Sequence, residues 1–272
     1  MSSLSRIERT TLLVVVLTTM APLAGCFRTP APTLREDQRG LVWICPGIGG
    51  GAWYLGSVYH AFRDAGVNAE IRIQEWDTPF YNALGQLKAY AANRRQAATA
   101  AEQIEAYRAT HPAAPIDVVG YSAGGGMALM IVEALPCDIG LRDVVLVQAA
   151  ISPTHDLTGV LHRIDGRLVN LYSQLDWFVL GLGTETFGTM DRKYVASAGK
   201  VGFDVEAAVP EEDQRAKLAQ KPWTTAMIWA GHFGNHASIL TYWWNKDYVA
   251  PYLLEAGNVR DVPVATEPAT AE

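Results

Sequence analysis

Ser122 stands at the centre of Gly120-Tyr121-Ser122-Ala123-Gly124, between the apolar run Ile116 to Val119 and a second apolar run from Met127 to Leu135. A serine hydroxyl is a poor nucleophile near neutral pH and gains reactivity when an adjacent base takes its proton. An imidazole suits that task once a buried carboxylate fixes its tautomer and stabilises its developing charge. His232 and His236 share one short stretch of chain, and Asp176 lies in Ser173-Gln174-Leu175-Asp176-Trp177. The five letters of the G-x-S-x-G run are weak alone, since chance supplies them in about one chain in ten of this length. Their setting adds meaning. Apolar run, tight turn, apolar run reads as strand, elbow and helix, with the serine at the apex. The helix that follows aims its free N–H groups and positive dipole end at the same spot.

Those side chains need elements to carry them. Leu41 to Cys45 is continuously apolar and closed by Pro46-Gly47, as expected of a buried parallel strand. Ala52 to Ala65 follows as a helix ended by Gly66, with Tyr54, Val58 and Phe62 on one stripe. Glu70 to Trp76 reads as the next strand, and Asn93 to Thr110 as an Ala-rich helix stopped by Pro112. After the elbow and the helix Ala123 to Leu135, strands are expected at Asp143 to Ala149, Leu168 to Tyr172 and Thr224 to Trp229. A closing helix is expected from about Ser238 to Leu254.

Strands alternating with helices imply crossover connections and a mostly parallel sheet with helices on both faces. Sites in such sheets form at the carboxyl ends of the strands. Ser122, the Gly47 to Gly51 loop, Asp176 and the loop Ala230 to His236 all fall at such ends. Four pieces converge on one rim.

With the elbow, the Gly-rich loop and the chain order Ser, Asp, His in place, the sequence resembles the α/β-hydrolase superfamily over roughly Leu41 to Leu254. The resemblance implies an α/β-hydrolase fold with a small lid or none, because the stretch between Ala149 and Leu168 is short. It places the acid on the loop that holds Asp176, ahead of Asp191 and Asp156, and the base at the junction before the closing helix. That junction is His236, with His232 as runner-up. It also implies that the backbone N–H groups of Ile48 and Ala123 form the oxyanion hole. Pro46-Gly47 departs here from the commoner His-Gly. His60, His111, His155 and His162 lie on helices or away from the rim and are given no role. The implied activity is serine hydrolysis of a carboxylic ester or thioester through an acyl-enzyme, with no cofactor. An acyltransferase with the same triad, or a non-catalytic surface lipoprotein that binds ligands on the same fold, are the alternatives.

Two rival chemistries fit poorly. His232 and His236 are four apart, but Gly231, Gly234 and Asn235 oppose a helix there and no H-E-x-x-H glutamate lies between them, so no metal site is expected. Pro46-Gly47-Ile48-Gly49-Gly50-Gly51 lacks the Lys and Ser/Thr of a phosphate-binding P-loop. The segment from Trp177 to Pro222 is expected to line the substrate pocket with Trp53 and Tyr54.

The ends of the chain read differently. Arg6 and Arg9, the apolar stretch Leu12 to Met20 and then Leu23-Ala24-Gly25-Cys26 look like a bacterial lipoprotein signal peptide over 1–25, with Cys26 as the lipidated residue. The apolar stretch is shorter than the ~20 residues a membrane-spanning helix needs. Residues 26–40 are expected to form a tether, 41–256 one hydrolase domain and 257–272 a disordered tail. Lipid chains would hold the protein on a membrane outside the cytoplasm, and Phe27, standing where an aspartate would signal inner-membrane retention, favours the outer membrane of a Gram-negative envelope. The net charge of -6 without a Lys/Arg cluster argues against nucleic acid. The expected partners are a small-molecule or lipid ester and the membrane, and the chain is read as a monomer. Cys45 and Cys137 are expected at opposite ends of the sheet, too far apart for a disulfide.

Overall fold

The computed structural model of the protein describes residues 39–75 and 83–254. The signal peptide, Cys26, nearly all of the tether, Trp76 and the tail lie outside the described residues, as does the side chain of Trp53.

Among the described residues six strands make one sheet: β1 (Leu41–Cys45), β2 (Glu70–Ile73), β3 (Ile116–Tyr121), β4 (Val144–Val147), β5 (Leu168–Tyr172) and β6 (Leu218–Pro222). Their order is β2-β1-β3-β4-β5-β6, and every neighbouring pair is parallel. The continuous apolar runs follow from burial on both faces. Leu41, Trp43 and Cys45 point into one core with Ile116, Val118, Val144 and Leu146. Val42 and Ile44 point into the other with Val119, Tyr121, Val145 and Val147. Successive side chains of a strand face opposite ways, so each run feeds both cores.

Helix α1 (Gly56–Ala65) covers the second core with Val58, Tyr59 and Phe62 and ends at Gly66, whose φ of 97° gives a left-handed cap. Helices α2 (Tyr90–Thr110) and α3 (Ala123–Ala134) cover the first. Helix α3 is buried along its length from Ala123 to Val132, sandwiched between sheet and α2. Apolar from Ala123 to Val132, with Glu133 only at its last turn, it belongs in such an interior place. Cys45 is buried and Cys137 exposed, and both are free thiols.

Two expected elements differ. Thr224 to Trp229 is not a strand: Thr225–Ala230 forms a 3-10 turn, and the last strand is β6, a few residues earlier. Met227 and Ala230, three apart, are buried while Ile228 and Trp229 face out, a spacing that suits a three-residue turn and not a pleat. Strand β6 carries Gln220, Lys221 and Pro222 because it is a half-exposed edge, so no apolar run announces it. The expected closing helix is a chain of short pieces: 3-10 turns at His236–Leu240 and Ala250–Leu253 flank one α turn at Tyr242–Trp244 and a π segment at Asn245–Val249. Pro251 lacks the N–H that a continued helix would use at that point.

Candidate active site

The elbow brings β3 into α3 through Ser122, whose φ of 57° and ψ of -124° are unusual for a residue with a side chain. Its surroundings impose that shape. The Ser122 carbonyl accepts the N–H groups of Gly125 and Ala150, each at 2.9 Å, while the Ser122 N–H reaches the Val147 carbonyl at 2.9 Å. A Cβ at Gly120 would lie 2.5 Å from the Gly124 carbonyl oxygen, and one at Gly124 would lie 2.1 Å from that of Cys45. Both glycines of the motif are therefore demanded by close backbone approach.

Ser122 Oγ lies 2.8 Å from His236 Nε2, and His236 Nδ1 lies 2.5 Å from Asp176 Oδ2. The three side chains that the sequence analysis singled out thus form one continuous relay. His236 opens the 3-10 turn His236–Leu240, capped by the Asn235 side chain, which accepts the Ser238 N–H at 3.0 Å. Asp176 is 2% exposed and sits in a turn after β5, its N–H bonded to the Ser173 carbonyl at 3.1 Å. Ser173 Oγ donates to the Gly234 carbonyl at 2.6 Å, which ties the Asp176 loop to the His236 loop. The distance between Asp176 and His236 is thus fixed by the chain as well as by their own bond.

His232 goes elsewhere. It is buried, its Nδ1 is 2.6 Å from Ser238 Oγ, and its ring meets Trp244. Burial pulls its pKa down to about 4, with Asp176 opposing that fall and His236 adding to it. It is a neutral ring behind the relay. Among the described residues no group of three or more His, Cys, Asp and Glu could hold a metal ion.

The Gly-rich loop runs past Ser122. A Cβ at Gly47 would be 3.3 Å from Ser122 Cβ, and the Gly47 carbonyl accepts the Tyr54 hydroxyl at 3.2 Å. This places the loop bearing Ile48 beside Ser122, and Ala123 follows Ser122 as the first residue of α3. The later glycines of the loop make room for neighbours: a Cβ at Gly50 would overlap the Tyr54 ring, and one at Gly51 would lie 2.1 Å from Glu75 Oε2. Glu75 Oε1 accepts the Ala52 N–H at 3.0 Å, so a carboxylate already occupies this N–H and would repel a phosphate.

The competing residues have other partners. Asp156 accepts the Thr158 N–H at 2.9 Å. Asp191 accepts from Ser152 Oγ and Thr189 Oγ1, each at 2.5 Å. His60 packs edge-on to Tyr59, His111 stacks on Tyr107, and His162 pairs with Glu211. His155 has a more definite position than expected: it bridges Glu133 at 3.0 Å and Asp191 at 3.4 Å, and Glu133 also pairs with Arg94. Sequence reasoning passed over Gln148 entirely. It follows β4 with a φ of 43°, and its Nε2 donates to Asp176 Oδ2 at 2.5 Å. A polar residue between the apolar run of β4 and Ala149-Ala150 was the available signal.

In sequence the chain matches no family model and no curated protein. In structure it is similar to Aspergillus fumigatus lipase B, with a TM-score of 0.50 at 13% identity, over 83% of this chain and 54% of the lipase, about half of that protein's length. Trichoderma reesei cutinase, solved with a phosphonate inhibitor, aligns at a TM-score of 0.45 and 13% identity, over 90% of this chain and 88% of the cutinase. The fold is that of the α/β hydrolases, with the parallel sheet and two helical layers expected of it.

Proposed function

We propose that the protein is a serine hydrolase that cleaves a carboxylic ester or thioester through a covalent acyl-enzyme. The observation that carries this reading is the unbroken hydrogen-bond relay from Asp176 through His236 to Ser122. In the first step Ser122 Oγ attacks the carbonyl carbon while its proton passes to His236 Nε2. The tetrahedral intermediate then collapses, and the alcohol or thiol leaves with that proton. Water repeats the sequence in reverse: it gives a proton to His236, attacks the acyl carbon and frees both Ser122 and the acid. The negative charge of each intermediate falls to the backbone N–H groups of Ile48 and Ala123, a device worth about 3–4 kcal/mol per donor.

An apolar acyl or aryl group suits the surroundings. Trp177, Phe233 and Trp243 are more than half exposed, and Trp229 is 93% exposed, on the segments that carry the acid and the base. Exposed aromatic rings offer contact area to an apolar substrate. We also propose, on sequence alone, that Cys26 carries lipid and holds this site at a membrane of the cell envelope.

The test is labelling of the folded protein with a fluorophosphonate probe, together with hydrolysis of short p-nitrophenyl esters. Label on wild-type protein, lost in Ser122→Ala, is the expected result. Folded wild-type protein that takes no label and turns over no ester would return the chain to the class of binding modules.

A further inference from the structure

Gln148 is strained, buried and engaged with the acid of the relay. Its φ of 43° lies in the left-handed region, which a residue with a long side chain rarely adopts. Its N–H is held by the Leu171 carbonyl at 2.8 Å, so the strand ladder of β4 and β5 continues through it. Such backbone strain persists where the surrounding structure enforces it, and it collects at functional sites. The side chain shows what the strain achieves. Nε2 donates to Asp176 Oδ2 at 2.5 Å, the same oxygen that faces His236 Nδ1.

The orientation of the amide follows from chemistry. An ionised carboxylate only accepts, so the amide must present its NH2 to Asp176 and turn Oε1 away. Among the described residues, that Oε1 is buried without a partner, and so is Trp244 Nε1. Gln148 and Trp244 both line a small cavity of about 10 Å³, together with His232, Trp223 and Met227. The two residues that carry this acceptor and this donor thus share the lining of a space of roughly one water.

We infer that Gln148 is a fourth, positioning member of the relay, which rests on the serine hydrolase reading above. Its NH2 holds Asp176 Oδ2 in line with His236, and one buried water between Gln148 Oε1 and Trp244 Nε1 keeps the amide from rotating. Two donors on one oxygen leave the carboxylate a single orientation. Asp176 Oδ1, by contrast, has only the long 3.4 Å approach of the Leu180 N–H among the described residues. Without Gln148 the carboxylate could swing toward either oxygen.

The experiment compares Gln148→Met, Asp176→Ala and the double variant on one activated ester. A hydrogen bond to a charged group predicts a fall in kcat of about 10- to 100-fold in Gln148→Met, with KM changed by less than about twofold. Because Gln148 acts through Asp176, the same substitution in the Asp176→Ala background costs nothing further. A role confined to packing would cost the same in both backgrounds, and that result would overturn the inference. So would an unchanged kcat in Gln148→Met while wild-type protein still takes a fluorophosphonate label, which separates this failure from failure of the hydrolase reading. If the variants do not fold, a crystal structure of the wild-type protein decides: Gln148 turned away from Asp176, or a dry cavity, refutes the proposal.

Discussion

The ring of His232 meets the indole of Trp244 edge-on, with centroids 4.4 Å apart and planes at 68°. That contact lies in the second core, where Trp244 is 1% exposed. It sets the two histidines of one loop apart, since His236 faces Ser122 while His232 packs on Trp244 and bonds Ser238. His236→Ala should lower kcat on an activated ester by about 10⁴-fold or more, because the members of such a relay act as a unit. His232→Ala should keep most of the catalytic rate and lose about 2–4 kcal/mol of stability to the cavity left behind. Steady-state rates and denaturant unfolding of the two variants check this.

His232 and His155 give stability opposite dependences on pH. The folded-state pKa of His232 is pulled by burial to about 4, below its ordinary 6.5. The unfolded chain therefore takes up a proton before the folded one does. The contribution of His232 is complete above about pH 6.5 and is lost as pH falls toward 4. Unfolding titrations should show an acid limb in that window, and His232→Ala should flatten it.

Burial also opposes the charge on His155, but Asp191 and Glu133 outweigh it and raise its pKa from 6.5 to about 9. Its contribution is complete below about pH 6.5 and disappears as pH rises through 9, about 2–3 kcal/mol in all. Asp191 is held below the ordinary carboxylate range, burial being outweighed by hydrogen bonds from His155, Ser152 and Thr189. Melting temperatures of wild-type protein and His155→Ala, taken from pH 6 to 10, should converge at the alkaline end. Parallel curves would refute the pairing.

Gly124→Ala should fail to fold or lose more than about 3 kcal/mol, since its Cβ would lie 2.1 Å from the Cys45 carbonyl oxygen. Gly66→Ala meets nothing within 4 Å and should cost only the strain of its left-handed backbone, about 1 kcal/mol. Thermal unfolding of the pair distinguishes crowding from conformational strain.

Cys26→Ser should move the protein from the membrane to the soluble fraction of an expressing bacterium, as acyl chains supply the proposed attachment. Fractionation and immunoblotting of both forms provide the check.

How much was legible depended on what each residue's neighbours require. Strands β1, β3, β4 and β5 announce themselves because burial on both faces selects mostly apolar side chains, with Asp117 and Asn170 the buried polar exceptions in β3 and β5. Strand β6 gives no such notice, being an edge, and the run Thr-Ala-Met-Ile-Trp after it imitates a strand while folding as a turn. Ser122 was readable from two glycines and their context, and Asp176 and His236 from their places after β5 and before the closing segment. Gln148 was not, because its significance lies in one bond to a residue on a neighbouring loop and in a backbone angle that no local pattern encodes. The carboxylate pair around His155 was hidden for the same reason, being assembled from α3, a loop and a distant turn.

The polar border formed by Gln220, Lys221 and Pro222 also bears on the company this molecule keeps. An open row of N–H and C=O groups invites a foreign strand to pair with it, and so to start a fibre. Here a long cation stands at the margin and an imino acid closes it without a donor to offer. An intruding chain would find little on that side to zip onto.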